Sequence, residues 1–139
     1  MSLTTARTAL HHYNQNAVQT GVEAANPHRL IQMLMEGALD RIAAAKGHME
    51  RGEIESKGTQ INNAIAILDG LKASLDMDKG GEISRNLEDL YTYMTRRLFE
   101  AHAGNDSTLL DEVADLVKQI KGAWDGIGDQ AQAQPGQAS

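Results

Sequence analysis

No cysteine occurs anywhere in this chain. Disulfide staples and thiolate metal sites are therefore excluded, and cysteine usage leaves the compartment open. Aromatic residues make up only 4% of the chain, too few for a broad stacking surface. Basic residues are outnumbered, 13 against 19 acidic ones, and the net charge of −6 argues against nucleic acid as the main ligand. No apolar run approaches the ~20 residues that a membrane span needs. The opening residues, MSLTTARTALHHYNQN, lack the apolar core of a signal peptide. A soluble cytoplasmic protein with no membrane insertion is expected. No stretch alternates with period two for long enough to make a strand, so the expected class is all-α. With 139 residues, one domain with a modest core is expected.

What is present is helical pattern, organised around DMDKGGEISRNLEDLYTYMTRRL, Asp76 to Leu98. Lys79-Gly80-Gly81 signals a turn, because glycine takes backbone conformations that other residues avoid. Ile83, Leu87, Leu90, Met94, Leu98 and Ala101 then follow at intervals of 4, 3, 4, 4 and 3, one face of a helix ending near Gly104. Before it, Asn26-Pro27 reads as an N-cap followed by a first-turn proline. The helix it opens has Ile31, Leu34, Met35, Ala38, Ile42, Ala45 and Met49 on its core face and stops at Gly52. A second helix, from about Glu53 to Leu75, carries Ile54, Ile61, Leu68 and Leu75 seven residues apart. Asn105-Asp106-Ser107-Thr108 opens the last helix, running to about Ile127, with Leu109, Val113, Leu116, Ile120, Trp124 and Ile127 inward.

Four helices of ~20–26 residues with short connections pack as an antiparallel four-helix bundle in up-down-up-down order. Leu3, Ala6, Leu10 and Tyr13 form a short amphipathic stripe, so a short extra N-terminal helix is expected ahead of the bundle. The expected organisation is a short helix and linker over 1–25, the bundle over 26–128, and a low-complexity, disordered tail over 129–139.

The residues carry no catalytic pattern. Di-iron bundles need Glu-x-x-His pairs, and none occurs here. The five histidines, His11, His12, His28, His48 and His102, are scattered, so no metal site and no cofactor is expected. Gly80-Gly81 is flanked by Asp76, Asp78 and Glu82, which suits a tight turn and repels a phosphate. Glu36 and Asp40, four apart on one helix, read as a solvated pair rather than an acid–base dyad. No serine sits in a nucleophile elbow. The chain is read as no enzyme.

Surface is what is left. Leu30, Met33, Ile67, Phe99, Leu110 and Val117 fall away from the centres of their core stripes on a helical wheel. Gly37 and Ala44, close to Leu30 and Met33, would leave a shallow groove. These residues are either ordinary exposed or core-widening positions, or a second apolar track that accepts partner helices.

Met77, Gly80-Gly81-Glu82, Asn86-Leu87, Leu90-Tyr91, Tyr93-Met94, Arg97-Leu98, Ala101, Asn105-Asp106 and Trp124 together resemble the FliS family of flagellar secretion chaperones. The resemblance runs from about Tyr13 to Ile127. It implies a cytoplasmic helical bundle, a monomer that holds the disordered C-terminal segment of flagellin one to one. It implies that this blocks premature filament assembly and presents flagellin to the cytoplasmic domain of the export gate protein. The outer track would then be the flagellin site, and Leu10 with Tyr13 would meet the gate. Two departures stand out. The linker from Tyr13 to Val22-Glu23-Ala24-Ala25-Asn26-Pro27 is longer by about four residues than the family's. Met35 stands where the family has tyrosine in Met33-Leu34-Met35-Glu36-Gly37. The competing readings are a helical adaptor or oligomerisation bundle with another amphipathic partner, and a cofactor-bearing enzyme bundle.

Overall fold

The computed structural model describes residues 26–133, with side chains described as far as Ile127. Four helices run α1 Pro27–Glu50, α2 Ile54–Ala73, α3 Gly81–Gly104 and α4 Ser107–Ala133, and no strand occurs among the described residues. Each helix packs on its sequence neighbours and α4 closes the ring onto α1, while the backbones of the diagonal pairs stay apart. The start of α1 meets the end of α4, where the His28 and Trp124 rings stack. The end of α1 meets the start of α4, where Lys46 bonds Asp111 at 2.9 Å. The bundle is therefore antiparallel, up-down-up-down. The short N-terminal helix and residues 134–139 lie outside the described residues.

Local chemistry sets the helix ends. The Asn26 side chain accepts from the Arg29 N–H at 2.7 Å and Pro27 takes the first helical position, as the sequence predicts. Gly52 closes α1 with φ +72, and the Glu53 N–H reaches back to the His48 carbonyl at 2.9 Å. Asn105 ends α3 in the left-handed region, φ 52, and Asp106 then caps α4 by accepting from the Thr108 N–H at 2.9 Å. In the α2–α3 corner, Asp76 Oδ1 accepts from the backbone of Asp78 and Lys79 at 3.1 and 2.9 Å. Gly80 is required there for space. A Cβ on it would lie 1.7 Å from Ser84 Oγ, the hydroxyl that donates to the Asp76 carbonyl at 2.9 Å.

The core is continuous along the bundle. On α2, Ile61 and Leu68 of the expected stripe are buried, together with Ala64, Ile65 and Leu71, while Leu75 is only partly buried. Three apolar positions placed inward by periodicity instead face solvent: Ile54, Ile83 and Ile127. Each stands near the first or last turns of its stripe, where the neighbouring helices no longer cover it. On α4 the deepest residues are Leu110, Val113 and Val117, while Leu109, Leu116, Ile120 and Trp124 are only partly buried. The buried face of α4 is thus turned relative to the stripe read from the sequence, and only Val113 is common to both. α4 also continues to Ala133, past the end expected near Ile127. Alanine and glutamine in Asp129-Gln130-Ala131-Gln132-Ala133 are good helix formers.

Candidate protein-binding surface

The bundle is open at the end where α1 begins and α4 finishes. Residues 74–80 form the longest of its three connections, and among the described residues a gap remains there between this connection and α1, α3 and α4. The result is a cleft of about 530 Å³ walled by Ile31, Ile83, Leu87, Tyr91, Ile120 and Trp124, among others. Ile83 stands at the start of α3 with 72% of its surface exposed. Burial pushes the Tyr91 hydroxyl up to about 12, so this phenol is uncharged at any physiological pH.

Polar contacts hold the mouth of the cleft in place. The Trp124 indole N–H donates to the His28 carbonyl at 2.9 Å, and the two rings stack at 4.7 Å between centroids. Asp125 accepts from Gln32 at 2.6 Å and pairs with Lys121 at 2.7 Å. The Lys121 and Gln32 hydrogen bonds hold the Asp125 carboxyl below its usual range. Glu36 pairs with Arg29 at 3.3 Å and with Lys121 at 3.7 Å. The Glu36–Asp40 spacing therefore marks a structural ion-pair network for Glu36, not acid–base chemistry.

A second polar cluster ties α3 to α4. The Tyr93 hydroxyl donates to Glu112, and Arg97 Nε donates to the same carboxylate at 2.9 Å. The Arg96 and Arg97 guanidiniums lie over the Tyr93 ring at 5.3 and 5.7 Å. The Tyr93 hydrogen bond, and then Arg97, hold the Glu112 carboxyl below its ordinary 4.5. Glu53, Asp106 and Asp125 are also held low. The folded chain therefore binds fewer protons than the unfolded one in this range. The stabilisation is complete above the unfolded values and is lost as pH falls through the lower folded ones. The melting temperature should fall as pH drops below 4.5, and Glu112→Gln should shallow that fall. Thermal melts at stepped pH measure it, and identical acid slopes would show that Glu112 contributes nothing.

The outer track read from the helical wheel does not survive as drawn. Leu30, Ile67, Leu110 and Val117 are buried in the hydrophobic core. In a bundle each helix packs against two neighbours, so its buried face is wider than a single stripe, and positions well off the stripe centre meet the second neighbour. Met33 is partly buried against that core, and Phe99 is 54% exposed. These two stand on α1 and α3, a diagonal pair whose backbones do not meet, so the six residues form no continuous track. Leu10 and Tyr13 lie outside the described residues. The cleft itself was missed because Ile83, Ile120 and Trp124 read as core from periodicity. The long 74–80 connection was the available signal that this end is less covered.

The profile of one family, described as "Flagellar protein FliS", matches residues 9–131. The chain belongs to the FliS family. It is 50% identical over 122 residues to the flagellar secretion chaperone FliSB of Pseudomonas aeruginosa, covering 88% of this chain and 97% of that protein. It is 44% identical over 123 residues to the flagellar secretion chaperone FliS of Salmonella typhimurium, covering 88% and 91%. For the flagellar secretion chaperone FliS of Vibrio cholerae the identity is 38% over 121 residues, covering 87% and 89%. As a FliS family member this chain is a flagellar export chaperone, not an enzyme, and its partner is a flagellar protein. Among the described residues no group of three or more His, Cys, Asp or Glu could hold a metal ion. No helix among them is long and apolar enough to cross a membrane.

Proposed function

We propose that this chain acts in the cytoplasm as a monomer that binds the C-terminal segment of flagellin one to one, keeps it from polymerising early and delivers it to the export gate. The observation that carries this reading is the open apolar cleft on a member of a flagellar chaperone family. A disordered segment with an apolar face can fold onto such a surface, and the apolar area it buries offsets the entropy lost in ordering it. Met33 and Phe99, the two residues of the original set not sealed in the core, are proposed as further contacts along the path of a wrapping segment. Calorimetric titration with a flagellin C-terminal segment tests the reading. Saturation at one to one with a negative heat-capacity change is expected. Absence of binding would return the protein to a bundle with another flagellar partner.

Delivery is proposed to use Leu10 and Tyr13. They are three residues apart, so on a helix they share a face and present an apolar contact with a phenolic tip. Such a short helix needs a surface to be stable. The double change Leu10→Ala with Tyr13→Ala should leave the bundle folded and flagellin bound. It should weaken docking of the loaded complex on the gate's cytoplasmic domain by about tenfold or more. Equal affinities of wild-type and doubly substituted complexes would confine the segment to a capping role. Loss of flagellin binding would place it in the cargo site.

A further inference from the structure

At the other end of the bundle a cation is buried with no counter-charge among the described residues. Lys57, in the first turn of α2, is 3% exposed. Its ammonium donates to the His102 carbonyl at 3.2 Å and to Asn105 Oδ1 at 2.8 Å. Both acceptors are neutral, and Lys57 forms no ion pair among the described residues. An ammonium has three N–H groups, so one remains unused. Burying a charge away from water is costly unless something compensates it. The carbonyls at the C-terminus of α3 supply part of that compensation.

Lys57 also lines a pocket of about 460 Å³ shared with Met49, Ile54, His102 and Ala103. His102 also lines the pocket, and its Nδ1 is sealed from solvent without a hydrogen-bond partner. Gly58 makes room for this imidazole, since a Cβ at that position would lie 3.2 Å from the ring. Glu53 is on the rim, but its carboxylate is bonded to His48 at 2.7 Å and Arg51 at 3.0 Å, so its charge is already balanced. Ile54, 69% exposed, supplies an apolar lip.

We propose that this pocket is a carboxylate site for an apolar chain, in which Lys57 holds the carboxylate and Met49 and Ile54 hold the apolar stem. A carboxylate can accept from the third ammonium N–H in a charge-assisted hydrogen bond. On the flagellin reading above, on which only this step rests, the carboxylate belongs to the bound segment, as an acidic side chain or as its chain terminus.

The first test needs no flagellin. Wild-type protein is titrated with 4-methylpentanoate and with 4-methylpentanamide, following the NMR signals of Ile54 and His102. Saturable shifts are expected with the acid, and binding at least about tenfold weaker with the amide. Lys57→Met should reduce acid binding to the level of the amide. Equal affinities, or no saturable shift with the acid, overturn the proposal. The second test compares flagellin C-terminal segments that are native, amidated at the terminus, or converted from acidic to amide side chains. The change that weakens binding at least about tenfold to wild type, but not to Lys57→Met, identifies the source. If neither change weakens binding, the cargo is not the source of the carboxylate. If no segment binds at all, the flagellin reading fails while the acid–amide contrast still decides the pocket.

Discussion

Leu68→Ala is expected to destabilise the bundle by about 2–5 kcal/mol, the range for emptying a buried leucine site. Leu68 is fully buried on α2 among Ile61, Ile65 and Leu71. The helix that carries it is weak on local grounds. Gly58 and Gly70 each cost about 1 kcal/mol relative to alanine in a helix interior. Its N-cap, Glu53, makes no side-chain capping bond. Packing against α1 and α3 must therefore hold α2 in place, and a cavity at Leu68 removes part of that packing without a local reserve. Both glycines are themselves buried, so replacing them with alanine is no simple rescue. Denaturant melts measure the loss. A cost below about 1 kcal/mol would mean that α2 collapses around the gap or that Leu68 is not a central core residue.

Ile83→Asn should have the opposite signature, with little change in stability and a large loss of cargo binding. Ile83 is 72% exposed on the lip of the cleft, so the folded chain gains little from it. A partner segment that covers it would gain about 1.5–3 kcal/mol from a fully buried isoleucine. At 1.4 kcal/mol per factor of ten, the affinity for a flagellin C-terminal segment should fall roughly ten- to hundredfold. Ile67→Asn is the matched contrast. Ile67 is sealed in the core, so its replacement by a polar residue should unfold the bundle rather than weaken binding selectively. Phe99→Ser, at an exposed position on α3, asks whether the cargo path reaches beyond the cleft. Calorimetric affinity and melting temperature measured together separate these outcomes. An Ile83→Asn protein that binds flagellin like wild type would remove the cleft from the cargo surface.

The sequence by itself determined the class and the local architecture. The 3.6-residue period marked all four helices, and Asn26-Pro27, Gly52 and the Asn105-Asp106 corner marked ends that the structure reproduces with hydrogen bonds. These features act within one or two turns of chain, so they can be read without knowing what the helix packs against. The motif pattern over the α2–α3 corner and α3 also pointed to the family that the comparisons established. Most of the stripes read from the sequence are buried, but which residues join or leave them was decided only by tertiary structure. Leu30, Ile67, Leu110 and Val117 look peripheral on their own helices but are buried because each helix has two neighbours. Ile54, Ile83 and Ile127 look central on their own helices but are exposed because the neighbouring helices do not cover the ends of their stripes. Lys57 gave no signal at all in the sequence. Its burial depends on the α3–α4 corner, 45 and 48 residues further along the chain, folding back to receive its ammonium. Burial is a property of pairs of elements, and a single chain pattern records only one member of each pair.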